Sequence, residues 1–155
     1  METRGRATSM SSARYLTYAT IVSIYSLMTV GAYLTVNPGF GLACPDWPLC
    51  HGQVIPRLYG AVLIEYSHRL LSVLTTLLLL ASTIAVWRMP SRPARALPAL
   101  LLAVGLLIFQ ILLGAVVVSS ELNAIVTTMH LAVATATFGS VVVAATVLQG
   151  SSRQT

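Results

Sequence analysis

Two histidines in apolar surroundings are the side chains of this sequence best suited to hold a metal ion. His68 lies in the run 65–69 (EYSHR), and His130 ends the run 126–130 (VTTMH). Ionisable groups in a spanning helix are costly, about 2.5–3.5 kcal/mol for Arg or Asp at the helix centre, so they tend to be kept for function. A lone buried histidine is more often a hydrogen-bonding group than a ligand. Whether these two act together depends on the helices that carry them.

The composition requires an apolar solvent for those helices. Only 8% of the 155 residues are charged, 56% are hydrophobic, and the mean hydropathy is +0.83, whereas soluble domains have about 25% charged residues. The first apolar segment, 15–36, has 22 residues and would span about 33 Å of a hydrocarbon core of roughly 30 Å. Its length and the lack of a small-residue cleavage site argue against a signal peptide, so we expect it to be an uncleaved helix.

Four apolar segments predict an all-α integral membrane protein, an antiparallel bundle of four transmembrane helices. Such a bundle pairs every backbone polar group within the membrane. We expect the following divisions of the chain: a tail 1–14, helices at about 15–36, 58–87, 97–118 and 124–148, an outer loop 37–57, and a tail 149–155.

The arginines predict the orientation of this bundle. The N-terminal tail holds three, the loop after the second helix holds three and the C-terminal tail holds Arg153, while Arg57 lies on the opposite side. This bias predicts a multi-pass protein of the cell membrane with both termini in the cytoplasm. The basic residues lie at the edges of apolar runs rather than on one polar face, which argues against a nucleic-acid partner.

The predicted orientation places the two histidines at one depth. The second and fourth helices run in the same direction, and His68 precedes Trp87 by 19 residues while His130 precedes Leu148 by 18. Both histidines therefore lie roughly 27–28 Å above the cytoplasmic face. This match favours shared ligation over two unrelated hydrogen-bonding side chains.

Two imidazoles suit haem iron better than zinc. Zinc normally takes three or four protein ligands, whereas haem iron can be held by two axial histidines on opposed helices of a bundle. Small side chains below the histidines would leave room for the macrocycle, although such stripes also occur in ordinary helix packing. These are Ser72, Thr75, Ala134 and Thr137.

Charged groups near the outer level have two interpretations. Arg57 and Arg69 could pair with haem propionates. Glu65 and Arg69 could instead neutralise each other, because they are four residues apart with the acid first.

Both cysteines lie in the segment 44–50 (CPDWPLC) of the outer loop. Disulfides persist outside the cytoplasm, and Pro45 and Pro48 stiffen the segment, so we predict a Cys44–Cys50 disulfide that staples the loop. Thiol–disulfide exchange would need an exposed, strained pair and usually a second pair, which the sequence lacks. The adjacent His51 is expected to be a solvated loop residue, with an approach to a site at the outer helix ends left open.

The chain resembles the haem A synthase family over essentially residues 15–148. The resemblance rests on four stretches in the family's order: 44–50 (CPDWPLC), 65–69 (EYSHR), 110–114 (QILLG) and 127–130 (TTMH). It implies oxidation of one methyl group of haem O to a formyl group by successive hydroxylations. It also implies that His68 and His130 are the axial ligands and that Glu65 is the acidic residue needed for the chemistry.

The resemblance covers one half of a typical family member. Such members have eight helices in two similar halves, each with a histidine pair, one thought to hold substrate haem and the other a haem b cofactor. The present sequence resembles the N-terminal half, so we predict a homo-oligomer. The resemblance implies haem b, or haem O and haem A as substrate and product, and partnership with haem O synthase or terminal oxidase assembly.

Three other functions remain open from the residues. A cytochrome b-type electron carrier would use the same histidine pair but would have no need of Glu65. A quinone-linked thiol oxidoreductase would need redox-active cysteines. A non-catalytic assembly subunit would tolerate loss of His68.

Overall fold

The computed structural model describes residues 2–151, and their side chains from Met10 onward. The chain folds into five helices: α1 (Glu2–Val36), α2 (Pro38–Gly41), α3 (Gly60–Trp87), α4 (Ala96–Ser119) and α5 (Ala124–Ser151). α1 includes most of the segment expected as an N-terminal tail, and α5 continues through 149–151. The remainder of the predicted C-terminal tail, with Arg153, lies outside the described residues.

Four of these helices are long and apolar enough to cross a membrane. The candidate spans are Met10–Val36, Gly60–Trp87, Ala96–Ser119 and Ala124–Ser151. No strand occurs between residues 2 and 151, where the loop contains only an isolated bridge from Cys50 to Gln53. The predicted all-α bundle of four apolar helices is confirmed.

The four long helices form a closed ring of neighbours. α1 packs against α3 and α5, and α4 packs against the same two helices. Consequently α3 and α5 occupy opposite corners of the bundle, with α1 and α4 between them. Side chains that point inward from α3 and α5 therefore face each other across the interior.

Apolar side chains fill the half of the bundle near the α3–α4 connection. Leu79, Val86, Leu100, Val141 and Leu148 are each 0% exposed there. They belong to one continuous buried cluster that also includes small alanines. Close packing of this kind is the main attraction between helices in lipid, because lipid tails are as apolar as the side chains.

Hydroxyl pairs join α1 to α3 within the bundle. Thr20 and Ser82 are 3.0 Å apart, and Ser23 and Thr75 are 2.7 Å apart. Interhelical hydrogen bonds of this type contribute about 0.6 kcal/mol on average in a membrane protein. These pairs also fix which faces of α1 and α3 meet.

The turn between α4 and α5 forces these helices to be antiparallel neighbours. Glu121 and Leu122 adopt left-handed conformations with φ of 53° and 62°. Asn123 caps α5, because its Oδ1 accepts hydrogen bonds from the N–H groups of Ile125 at 3.0 Å and Val126 at 3.4 Å. The turn places the first residues of α5 beside the last residues of α4.

Candidate functional site

A cavity of about 390 Å³ lies between the long helices at the end of the bundle that carries the disulfide loop. Its volume falls in the roughly 300–1,000 Å³ range of small-molecule pockets. All four long helices contribute to its walls, and Trp47 of the loop borders it as well. The cavity is therefore a place where a small molecule could bind within the bundle.

The opposed helices α3 and α5 present matching faces to this cavity. Each contributes a histidine, the residue three positions before it, and the residues four and seven positions after it, which is one helical face. The lining residues of this pattern are Glu65, His68, Ser72 and Thr75 on α3, and Thr127, His130, Ala134 and Thr137 on α5.

The structure brings the two predicted ligands to one cavity from opposite corners. The Nδ1 atoms of His68 and His130 are buried and have no hydrogen-bond partner within residues 2–151. An unpaired buried polar group costs about 1–3 kcal/mol. A ligand that engages the two imidazoles would offset part of that cost.

Glycines on the two intervening helices make room for the imidazoles. A Cβ atom at Gly31 of α1 would lie 3.0 Å from Cε1 of His68, and one at Gly114 of α4 would lie 3.3 Å from Cε1 of His130. Any larger residue at Gly31 would therefore displace the His68 ring. Two features fit a haem held by two axial histidines: imidazoles whose Nδ1 atoms have no hydrogen-bond partner within residues 2–151, and the space that the two glycines leave beside them.

Glu65 is almost fully buried, with 3% of its surface exposed. Its Oε1 accepts a hydrogen bond from Nη2 of Arg69 at 2.7 Å, and its Oε2 accepts one from the N–H of Cys44 at 2.7 Å. The ion pair considered from the sequence is thus present, and a buried charge needs such partners. The carboxylate nevertheless borders the cavity, one turn from His68.

Arg69 fastens the disulfide loop to α3. Its Nη1 donates to the carbonyl oxygens of Asp46 at 2.9 Å and Leu49 at 2.6 Å, and its Nη2 donates to that of Cys44 at 3.0 Å. With the bond to Glu65, four contacts engage the two terminal nitrogens. The guanidinium borders the cavity, but its terminal donors are directed to the loop.

The contact of Arg57 and Arg69 with propionates stays a prediction. Arg57 is exposed and does not border the cavity. Arg69 does border it, but sequence reasoning did not anticipate that the loop carbonyls would occupy its donors.

The loop is closed by a disulfide between Cys44 and Cys50. The two cysteines are 0% and 1% exposed. Thiol–disulfide exchange requires access of an attacking thiolate to sulfur, so this burial favours the structural role. The disulfide holds the N–H of Cys44 in position to donate its hydrogen bond to Glu65.

Asp46 organises the rest of the loop. Its Oδ1 accepts from the N–H of His51 at 2.6 Å, and its Oδ2 accepts from the N–H of Gly52 at 2.7 Å. The hydrogen bond from Gly52 is the main cause that lowers the pKa of the Asp46 carboxyl. His51 places Nε2 2.9 Å from the carbonyl oxygen of Ala43, is exposed, and does not border the cavity.

Two polar side chains of the site had no assigned role from the sequence. Gln110 of α4 and Thr127 of α5 border the cavity, and Gln110 Oε1 and Thr127 Oγ1 are buried without a hydrogen-bond partner within residues 2–151. The available signal was the isolation of Gln110 as the one amide in the apolar segment 97–118. Periodicity alone does not say which way it faces.

Over the part of the chain that the structure describes, no group of three or more His, Cys, Asp or Glu side chains could hold a metal ion. The two histidines therefore do not belong to a three-ligand cluster of the kind that zinc prefers. This arrangement is compatible with iron in a macrocycle, which brings its own equatorial nitrogens.

Known proteins resemble this chain at the sequence level. It is 35% identical over 121 residues to a protein named heme A synthase from Bacillus pumilus, which covers 77% of this chain and 39% of that relative. It is 33% identical over 138 residues to the heme A synthase of Staphylococcus saprophyticus, covering 86% of this chain and 46% of the relative. A heme A synthase of Staphylococcus aureus is 32% identical over 118 residues, and the match covers 75% of this chain and 39% of that relative.

The chain thus spans less than half the length of these relatives. No solved structure matches it. The family model described as cytochrome oxidase assembly protein, COX15-CtaA, matches residues 58–155. With the relatives above, this match shows that the chain belongs to the haem A synthase family of cytochrome oxidase assembly proteins.

Proposed function

We propose that this protein oxidises one methyl substituent of haem O to a formyl group through successive hydroxylations, in the manner implied by its relatives' name. One observation carries the proposal: His68 and His130 border a single cavity from diagonally opposed helices, with Glu65 one turn from His68. The arrangement combines a ligand pair for iron with an acidic group beside the macrocycle.

The histidines would hold the haem from its two faces. Their helices lie at opposite corners, so the macrocycle would stand between α3 and α5, with α1 and α4 at its edges. Gly31 and Gly114 keep those edges clear beside the imidazoles. When bound, the haem supplies the iron and the methyl group that is oxidised.

Glu65 would act on the methyl substituent that lies beside it. Each carboxylate oxygen has two lone pairs, and one bond to Arg69 or Cys44 leaves each oxygen with acceptor capacity. The carboxylate can therefore receive a proton from, or stabilise positive charge at, the carbon being oxidised. The loop positions it, because the Cys44 amide and the Arg69 guanidinium both bind it.

The assembly and topology belong to the same proposal. Copies of the chain would associate so that the assembly contains more than one haem site. Haem b would serve as cofactor in such an assembly, in contact with haem O synthase or terminal oxidase assembly. The arginine distribution supports a plasma-membrane protein with both termini in the cytoplasm and the cavity toward the outer face.

Production of hydroxylated and formyl haems tests the activity. The chain is co-expressed with a source of haem O, and the extracted haems are separated by liquid chromatography. Wild type is expected to yield hydroxylated haem O and haem A, as is the control Met129→Leu, whose exposed side chain adjoins His130 in sequence. Recovery of only protohaem and unchanged haem O from wild type would refute the synthase. A bis-histidine spectrum retained in that case would favour the electron carrier.

A further inference from the structure

Gln110 is a buried polar side chain of the cavity wall with no assigned role. It lies on α4, is 9% exposed and borders the cavity, and its Oε1 has no hydrogen-bond partner in the described part of the chain. A buried amide without a partner is destabilising. Its position therefore points to a polar group that a ligand brings into the cavity.

Most hydroxyl groups of the same wall are already satisfied. Each donates to a carbonyl of its own helix within one turn, as is usual for Ser and Thr in spanning helices. These hydroxyls belong to Thr35, Ser72, Thr75, Thr128 and Thr137. Gln110 and Thr127 differ from them because their side-chain oxygens have no hydrogen-bond partner in the described range 2–151.

Gln110 lies on the side of the histidines that is away from the disulfide loop. It precedes Gly114, which faces His130, by four residues, so it lies about 6 Å from that level along the axis of α4. α4 runs toward the α4–α5 turn beside the loop, so this displacement points away from the loop. Glu65 and Thr127 each precede a histidine by three residues and lie on the loop side.

The surroundings of Gln110 are apolar. Leu107, which is 5% exposed, and Ile111 flank it on α4, and Met28 and Ile24 of α1 border the same cavity. A group bound here would need one hydrogen-bond donor, such as a hydroxyl, next to a long hydrocarbon segment. Haem O has such a group, because it carries a hydroxyl-bearing isoprenoid side chain where protohaem carries a vinyl group.

That side chain lies on the edge of the macrocycle opposite the propionates. In an orientation with the propionates on the loop side of the iron, the isoprenoid edge would lie on the same side of the histidines as Gln110. We propose that the Gln110 amide oxygen accepts a hydrogen bond from the hydroxyl of the isoprenoid side chain and thereby selects haem O over protohaem. This inference rests on the proposed function and names a specificity-determining residue within it.

Haem titration of the protein in detergent tests the inference. Wild type, Gln110→Leu and Gln110→Met are titrated with haem O, protohaem and haem A, and dissociation constants are taken from the Soret band. Gln110→Leu should weaken haem O binding about tenfold, equivalent to one hydrogen bond, and leave protohaem affinity unchanged. Unchanged protohaem binding also shows that the variant folds. Thr135→Val, which removes a satisfied hydroxyl of α5 that does not border the cavity, should leave the ratio of the haem O and protohaem dissociation constants as in wild type.

Other outcomes overturn the inference in different ways. Equal weakening of haem O and protohaem by both Gln110 variants would indicate a purely structural role. If the Gln110 variants weaken the binding of haem A alone, the amide would contact the formyl group instead of the isoprenoid hydroxyl. If wild type oxidises haem O but the Gln110 variants prefer haem O over protohaem as strongly as wild type does, this inference fails and the proposed function stands. If wild type binds haem without a low-spin band, both the inference and the proposed function fail.

Discussion

The two ends of the bundle are built on opposite principles. At the α3–α4 end, Leu79, Leu100 and Val141 are fully buried in one apolar cluster. At the loop end, the same helices border a cavity of about 390 Å³, to which His68 and His130 contribute. One end provides packing contacts, and the other gives up such contacts to make room for a ligand.

Polar groups follow the same division. Between α1 and α3, the hydroxyl groups of Thr20 and Ser82 form a hydrogen bond, which adds to the packing of the two helices. Around the cavity, His68, His130 and Gln110 have polar atoms without a hydrogen-bond partner among residues 2–151. The contrast distinguishes the packed end, where hydroxyl groups pair with each other, from the cavity, for which we propose a ligand.

Removing an axial ligand should have the largest effect at the loop end. His68→Ala and His130→Ala are each expected to abolish the low-spin haem band, because haem iron would lose one of two axial imidazoles. The visible spectrum of purified protein measures this. A low-spin band that survives in both variants would show that the cavity does not use this pair.

Removing packing should affect the other end alone. Leu100→Ala is expected to lower the free energy of unfolding by about 2–5 kcal/mol, as for other buried leucines, because Leu100 is fully buried. Thermal unfolding in detergent measures the loss. The wavelength of the haem band should not change, and a shift in it would contradict the independence of the two ends.

Neutralising the acidic group should separate chemistry from binding. Glu65→Gln keeps the side-chain shape but loses the charge, so conversion of haem O is expected to fall about hundredfold, the lower range for general acid–base groups. Haem binding should persist because the histidines remain. Product analysis and the visible spectrum together provide the check, and unchanged turnover would remove Glu65 from the mechanism.

Narrowing the cavity by one methyl group should weaken haem binding moderately. A Cβ at Gly31 would lie 3.0 Å from the His68 ring, whereas one at Gly139 would meet no atom within 4 Å. Gly31→Ala is therefore expected to weaken haem affinity about tenfold, or about 1.4 kcal/mol, and Gly139→Ala should leave it unchanged. If Gly31→Ala and wild type bind haem with equal affinity in a Soret titration, the His68 ring has room to move away from the added methyl group.

Acid should loosen the disulfide loop slightly. Backbone N–H groups lower the pKa of Asp46 in the fold, so its contribution to stability is present above the unfolded pKa and is lost as pH falls through the lower folded pKa. Asp46→Asn should therefore reduce the acid dependence of thermal stability. Melting temperatures of wild type and Asp46→Asn between neutral pH and about pH 3 measure this dependence. If the melting temperatures of the two proteins fall equally with pH, Asp46 does not stabilise the loop in this way.

Much of the architecture was predictable because it depends on local properties. Hydropathy predicts four spanning helices, and the constant rise of an α-helix places His68 and His130 at one level without knowledge of packing. The Cys44–Cys50 disulfide follows from two cysteines in one short loop. The neighbours of Arg69 were not predictable, since three of its acceptors are loop carbonyls whose direction depends on the folded loop.

The sequence by itself determined the helices, their polar residues and the family to which the chain belongs. Tertiary structure decided which helices are neighbours and how each is rotated about its axis. Those two choices place α3 and α5 at opposite corners, turn Gln110 toward the cavity and tie Glu65 to the disulfide loop. Hydropathy cannot specify them, because helix rotation in lipid depends on close contacts between side chains rather than on apolar character.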